Sequence, residues 1–151
     1  MSRFHIVLVA PEIPQNTGTI GRLCVSTDVK LHLIEPLGFS LDEKHLKRAG
    51  MDYWPHLELA VYGNWDEFLA ANSEAHLLFF STKGAATYWD ISYPEESFLV
   101  FGSESHGFPP EFYERYHDRL ATIPMEGKFY RSLNLANAAS IVLYEALRQA
   151  R

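Results

Sequence analysis

Cysteine is almost missing from this chain: Cys24 stands alone. One thiol closes no internal disulfide and builds no Cys-rich metal site, which fits a reducing, cytoplasmic setting. Cys24 itself reads as a small core residue. Long apolar runs are missing too, and nothing approaches the roughly 20 residues that span a bilayer. The amino-terminal "MSRFHIVLVAPEIP" has a short apolar core and no small-residue cleavage site, so it reads as a first strand rather than a signal peptide. Positive charge is scarce: 13 Lys and Arg face 19 Asp and Glu, a formal net charge of −6. Proteins that hold RNA by bulk electrostatics are usually basic. Any nucleic-acid partner must therefore meet a local patch, or patches combined in a dimer. The seven histidines (5, 32, 45, 56, 76, 106, 117) form no H-x-H or H-x-x-x-H pair, so no metal site is expected. A G-x-S-x-G elbow and a G-x-x-x-x-G-K-[ST] loop are both absent.

What is present is an ordered α/β pattern. Apolar residues make up 47% of the 151 positions and charged ones only 21%, enough for one domain, 1–151, with a real core. "FHIVLVA", "KLHLIEP", "HLELAVY", "HLLFFST", "SFLVFGS" and "LATIPM" read as strands. Between them, "GTIGRLCVSTD" carries Ile20, Leu23 and Cys24 at helical spacing. "SLDEKHLKRAG" reads as a short amphipathic helix capped by Ser40 and Gly50, and "NWDEFLAAN" as one capped by Asn64. Further helices are expected from about Pro110 to Tyr116 and from about Asn134 to Gln149. Alternating β and α units imply a mainly parallel sheet flanked by helices.

Ligands of such sheets bind at the carboxyl ends of the strands, and four segments lie there. "PEIPQNTGTIGR" follows the first strand, but Gly18 and Gly21 give only G-x-x-G, and two prolines remove backbone donors. The dinucleotide fingerprint fails on spacing. Asn16, the free N–H groups of a helix start and Arg22 still suit a substrate phosphate or ribose, against the plain alternative of a βα turn with a surface Arg. After the fourth strand, Ser81, Thr82, Lys83 and Gly84 form a polar pocket floor or an ordinary turn. In "FGSESHGFPPEF", Gly102, Glu104 and Gly107 allow close approach to a flat ligand, with Glu104 orienting a hydroxyl; a capped strand–helix connection reads equally. Last, "RSLNLANAASIVLYEALRQA" has no charge from Ser132 to Tyr144 and an apolar arc wider than a surface helix needs, which suggests a dimer interface. Its polar Ser132, Asn134, Asn137 and Ser140 need partners, in backbone or ligand. Lys44, Lys47 and Arg48 form a basic run that is a solvated face or a contact to a phosphate backbone.

In combination, N-x-G-x-x-x-R (Asn16, Gly18, Arg22), G-x-E-x-x-G (Gly102, Glu104, Gly107) and "RSLNLANAAS" resemble the SPOUT class of RNA methyltransferases, in its ribose 2′-O-methylating branch. "LHLIEPLGF", "LKRAGMDYW" and the short length resemble the minimal subgroup that acts on the wobble nucleotide of tRNA. The resemblance implies a C-terminal trefoil knot, a homodimer, and S-adenosylmethionine as methyl donor. It implies cofactor contacts by Phe80, Ser81, Gly102, Glu104, Ile123, Met125, Ser132 and Leu133. It gives catalytic roles to Arg22, Glu104 and Asn134, tRNA contacts to Asn16, Arg22, Lys44, Lys47, Arg48 and Arg131, and subunit contacts to Leu143, Tyr144 and Leu147. A leucine tRNA is the implied substrate. Guanidinium stays protonated far above neutral pH, so Arg22 is better suited to fixing a phosphate than to serving as a base. Other RNA targets, a non-catalytic RNA-binding role and, less well, a Rossmann-type oxidoreductase remain alternatives at this stage.

Overall fold

The runs "IVLVA", "LLFF" and "FLVF" become strands because each offers a β-branched or aromatic residue to both faces of a sheet. The computed structural model describes residues 4–42 and 52–151. In chain order these form β1 (His5–Val9), α1 (Pro14–Thr27), β2 (Lys30–Ile34), β3 (Leu59–Tyr62), α2 (Trp65–Ala71), β4 (Leu77–Phe80), β5 (Ala86–Thr87), β6 (Phe98–Phe101), α3 (Pro110–Arg115), β7 (Leu120–Thr122) and α4 (Leu135–Gln149). The expected basic helix, with Lys44, Lys47 and Arg48, lies outside the described residues. Among the described residues no helix is long and apolar enough to cross a membrane.

The sheet has seven strands in the order β3-β2-β1-β6-β4-β7-β5. All of its pairings are parallel. The chain moves outward from β1 through β2 to β3, then crosses back to build the other side. β1 and β6 therefore flank a reversal of strand order, where open α/β sheets bind ligands.

Alternation along the strands sorts the core into two layers. Ile6, Leu8, Leu31, Leu33, Leu99 and Phe101 face α1 and α4, packing on Ile20, Cys24, Ala139, Val142 and Leu143. Val7, Val9, Phe79, Phe98 and Val100 face α2 and α3, packing on Phe68 and Phe112. Burial pushes the Cys24 thiol up to about 12, so it is an inert core group. α4 covers the sheet and also packs on α1. That second neighbour accounts for its wide apolar arc. It also corrects the interface expectation for Leu143, which is fully buried in the protomer's own core. Leu147 is partly buried against the same core, while Tyr144 stays 57% exposed.

α1 begins at Pro14, four residues earlier than its apolar spacing suggests. Proline at the first helical position fits, since its missing N–H has no helical acceptor there. At α2 the Asn64 side chain accepts from Glu67 N at 2.8 Å, as its capping sequence predicts.

A polar chain runs through the second layer at β1 and β2. His32, fully buried, lies 2.9 Å from His5 Nδ1 through Nε2 and 2.9 Å from the Tyr62 hydroxyl through Nδ1. Asn72 Nδ2 donates to that hydroxyl at 3.2 Å. The Tyr62 proton then belongs to His32 Nδ1, and His32 Nε2–H donates to His5, so the chain is satisfied with both rings neutral. Burial, with His5 and Lys30 adding repulsion, pushes the His32 imidazole down to about 3. Below pH 6.5 the unfolded chain takes a proton that the folded chain refuses, so stability is complete above that pH and drains away as pH falls toward 3. Urea unfolding should show a loss of about 1–2 kcal/mol between pH 6.5 and 5, and His32→Phe should flatten that slope. An unchanged slope in the variant would rule out His32 as its source.

Candidate active site

At the carboxyl ends of β1, β6, β4 and β7, four loops and the start of α4 enclose a cavity of about 510 Å3. That volume lies within the range of about 300–1,000 Å3 typical of small-molecule sites. Phe80, Ser81, Gly102, Glu104, Ile123, Met125, Ser132 and Leu133 all line it, as do Asn16 and Asn134. Residues up to 118 positions apart are thus brought to one place. Phe80, Phe101, Ile123, Leu133 and Ala138 give it apolar walls, and Ser81 and Ser132 supply hydroxyls. A flat heteroaromatic ring with a polar tail suits such a mixture.

The walls are held by carboxylates. Glu12 N and Ile13 N each donate at 2.8 Å to the two oxygens of Glu104, and Asn16 Nδ2 donates to Glu104 Oε2 at 3.2 Å. Asn134 Nδ2 then donates to Asn16 Oδ1 at 2.9 Å. The Asn134 Oδ1 caps α4 by accepting from Asn137 N at 3.1 Å. This relay overturns one expectation. The N–H groups before α1 do form an anion cradle, but its anion is the protein's own Glu104, not a substrate phosphate or ribose. Glu104, with three donors on it, fastens the loop before α1 to the loop after β6.

The return contact is reciprocal. Ser105 N and Oγ donate to Glu12 Oε1 at 3.0 and 2.7 Å. These bonds hold the Glu12 carboxyl down at about 2. Its share of loop locking is present above the ordinary carboxylate range and is lost as pH falls toward 2. Gly107, at φ +69°, closes the loop by exchanging both backbone bonds with Ser103, at 3.1 and 3.0 Å. Gly102 lies so close to this loop that a Cβ would press on Gly107 and come within 2.7 Å of Phe108 N.

Other expected residues stand elsewhere. Arg22 is on an exposed face of α1 and does not line the cavity; Arg131 is exposed directly before Ser132. Three contributors carried no signal in any motif. Glu12 and Ser105 form the reciprocal clamp. Tyr113, on α3, reaches the cavity: its hydroxyl accepts from Phe108 N at 3.3 Å, and Lys83 Nζ lies 4.6 Å over its ring. Lys83 also lines the cavity, and its ammonium is in no ion pair among the described residues.

A family model described as the SpoU rRNA Methylase family matches residues 3–144. The chain belongs to this family. SpoU-family relatives named tRNA (cytidine(34)-2′-O)-methyltransferase include one from Saccharophagus degradans, 48% identical over 147 residues, with 97% of this chain and 95% of the relative covered. Another, from Burkholderia cenocepacia, is 45% identical over 150 residues, covering 97% and 96%. A solved structure concerned with 2-OH methylation of C/U34 on tRNA superposes with TM-score 0.90 at 44% identity, covering 97% and 95%. An AdoMet-bound rRNA methyltransferase from Sinorhizobium meliloti gives TM-score 0.84 at 27% identity, covering 97% of this chain and 56% of that one.

Proposed function

We propose that this SpoU-family chain is a tRNA (cytidine(34)-2′-O)-methyltransferase that uses S-adenosylmethionine. One observation carries the reading: the three motif blocks meet in a single cavity, tied together by the Glu104–Asn16–Asn134 relay. The names and near-complete coverage of the relatives support the substrate, and the AdoMet-bound neighbour supports the cofactor. The residues lining the cavity would hold S-adenosylmethionine, which would supply a sulfonium methyl for the ribose 2′-oxygen; the hydroxyl proton would pass to a substrate phosphate or water, and S-adenosylhomocysteine would be the by-product. Phe80, Ile123 and Leu133 would shield the cofactor from water, while Ser81 and Ser132 would offer it hydrogen bonds. Glu104 and Asn134 orient the loops. Arg22 holds a phosphate beside the reacting ribose and supports proton loss by its field.

The active form is a cytoplasmic homodimer, with the exposed Ile141 and Tyr144 of α4 at the subunit contact. A second copy would bring an Arg22 to a cavity that its own chain's Arg22 does not line. The segment after β7 forms a trefoil knot. In support, β7 lies between β4 and β5, and Gly84 leaves no room for a Cβ against the Ala121 backbone. Asn134 then ties the returning chain back to α1.

The deciding experiment incubates the protein with methyl-labelled S-adenosylmethionine and total tRNA, then maps the label. A 2′-O-methyl group at the wobble cytidine or uridine is expected. Label at another nucleotide would overturn the substrate, and no transfer to tRNA would overturn the proposed activity.

A further inference from the structure

The stretch from Glu126 to Asn134 is exposed at every residue. It holds the two most exposed large apolar side chains described in the protein, Phe129 at 87% and Tyr130 at 65%. Burying such rings in water-free contact is worth more than leaving them wet. Lys128 and Arg131 flank them, and Lys128 Nζ lies 5.6 Å from the centre of the Phe129 ring. The pair is also tied to the site. Tyr130 precedes the cavity-lining Ser132 by two residues, at most about 7 Å of backbone.

We propose that Phe129 and Tyr130 form a stacking platform for unpaired nucleobases of the RNA next to the methylated nucleotide, with Lys128 on a neighbouring phosphate. The inference rests on the reading of the chain as a tRNA methyltransferase. A pair of aromatic side chains flanked by two cations matches single-stranded RNA, whose bases offer flat apolar faces and whose backbone offers a negative charge at each step. A second copy of the chain fits less well. An interface centred on this loop would bring the two copies' Lys128 and Arg131 together, with Glu126 the one acid in the stretch. The platform also answers the chain's net charge of −6, because stacking binds RNA without a broadly basic surface.

The test uses the full-length protein and a labelled tRNA transcript with a wobble cytidine. Phe129→Ala/Tyr130→Ala should weaken tRNA binding at least about 5-fold, the lower bound for losing even one base–aromatic stack. S-adenosylmethionine affinity by calorimetry and mass by sedimentation should not change. Phe129→Trp/Tyr130→Trp should restore binding, and Phe129→Leu/Tyr130→Leu should not, which separates stacking from apolar bulk. Lys128→Ala should reduce the log Kd against log salt slope by about 0.7, one phosphate contact on single-stranded RNA. Unchanged tRNA affinity in the double alanine variant, with wild type still binding and methylating, would sink the platform alone. Loss of dimer mass would make a second copy the occupant and also overturn it. Failure of the wild type to bind tRNA at all would sink both the platform and the proposed substrate.

Discussion

Glu104→Ala is expected to lose more than 100-fold in methyl transfer and to unfold at a lower temperature. The carboxylate accepts from Glu12 N, Ile13 N and Asn16 Nδ2, and truncation leaves all three donors without it. An unpaired, partly buried donor costs about 1–3 kcal/mol. With partial access to water, the sum should be roughly 2–4 kcal/mol, or a fall in Tm of about 5–15 °C for a chain of this size. Because Asn16 also holds Asn134, the loss travels to the cap of α4 and to the neighbouring Leu133 and Ser132. Cofactor affinity should therefore fall together with stability. Glu104→Gln keeps one acceptor oxygen but turns an NH2 toward a donor, so it should lie between wild type and alanine in both measurements. The two readouts separate roles. If Glu104 acted directly on the substrate, activity would vanish while Tm and cofactor affinity stayed at wild-type values; that result would defeat the positioning role.

The sequence reveals the sheet more readily than the site, for physical reasons. "IVLVA", "LLFF" and "FLVF" announce β1, β4 and β6 because strands buried on both faces must be apolar at nearly every position. β5, two residues long, carries no periodicity to read. The early start of α1 was hidden by prolines that suggest a loop, although Pro14 is its first residue. Leu143 misleads for a related reason: an apolar arc records how many neighbours a helix has, but not whether they belong to its own chain. At the site, each short polar residue reads as a turn or a cap when taken alone. Asn134 is indeed a cap, but its amide simultaneously reaches Asn16, 118 positions away. Pairings of that span leave no local pattern, so the motif resemblance collected them where spacing could not. Glu12, Ser105 and Tyr113 belong to no motif and became visible only in the folded chain.

Arg22→Ala should be the cleanest loss of chemistry: a fall of at least about 100-fold in turnover, the scale of one electrostatic group aimed at a reacting centre. The fold and the cofactor affinity should hold, since Arg22 is exposed on α1 and lines no part of the cavity of its own chain. If this guanidinium serves the cavity of the other protomer, mixing can restore what each variant lacks. Arg22→Ala subunits keep an intact cavity, and subunits with the cavity filled by Ser132→Tyr keep an intact Arg22. Random reassortment of the two in a twofold dimer makes half of the dimers mixed, each with one complete site, so activity should return to about a quarter of wild type. If Arg22 serves its own chain, every site in the mixture carries one defect and activity stays at the level of the separate variants. Wild-type turnover in Arg22→Ala alone would remove the residue from the mechanism altogether. Recovery on mixing would instead place the cavity and the cation that acts on its substrate on different protomers, so that only a dimer holds both.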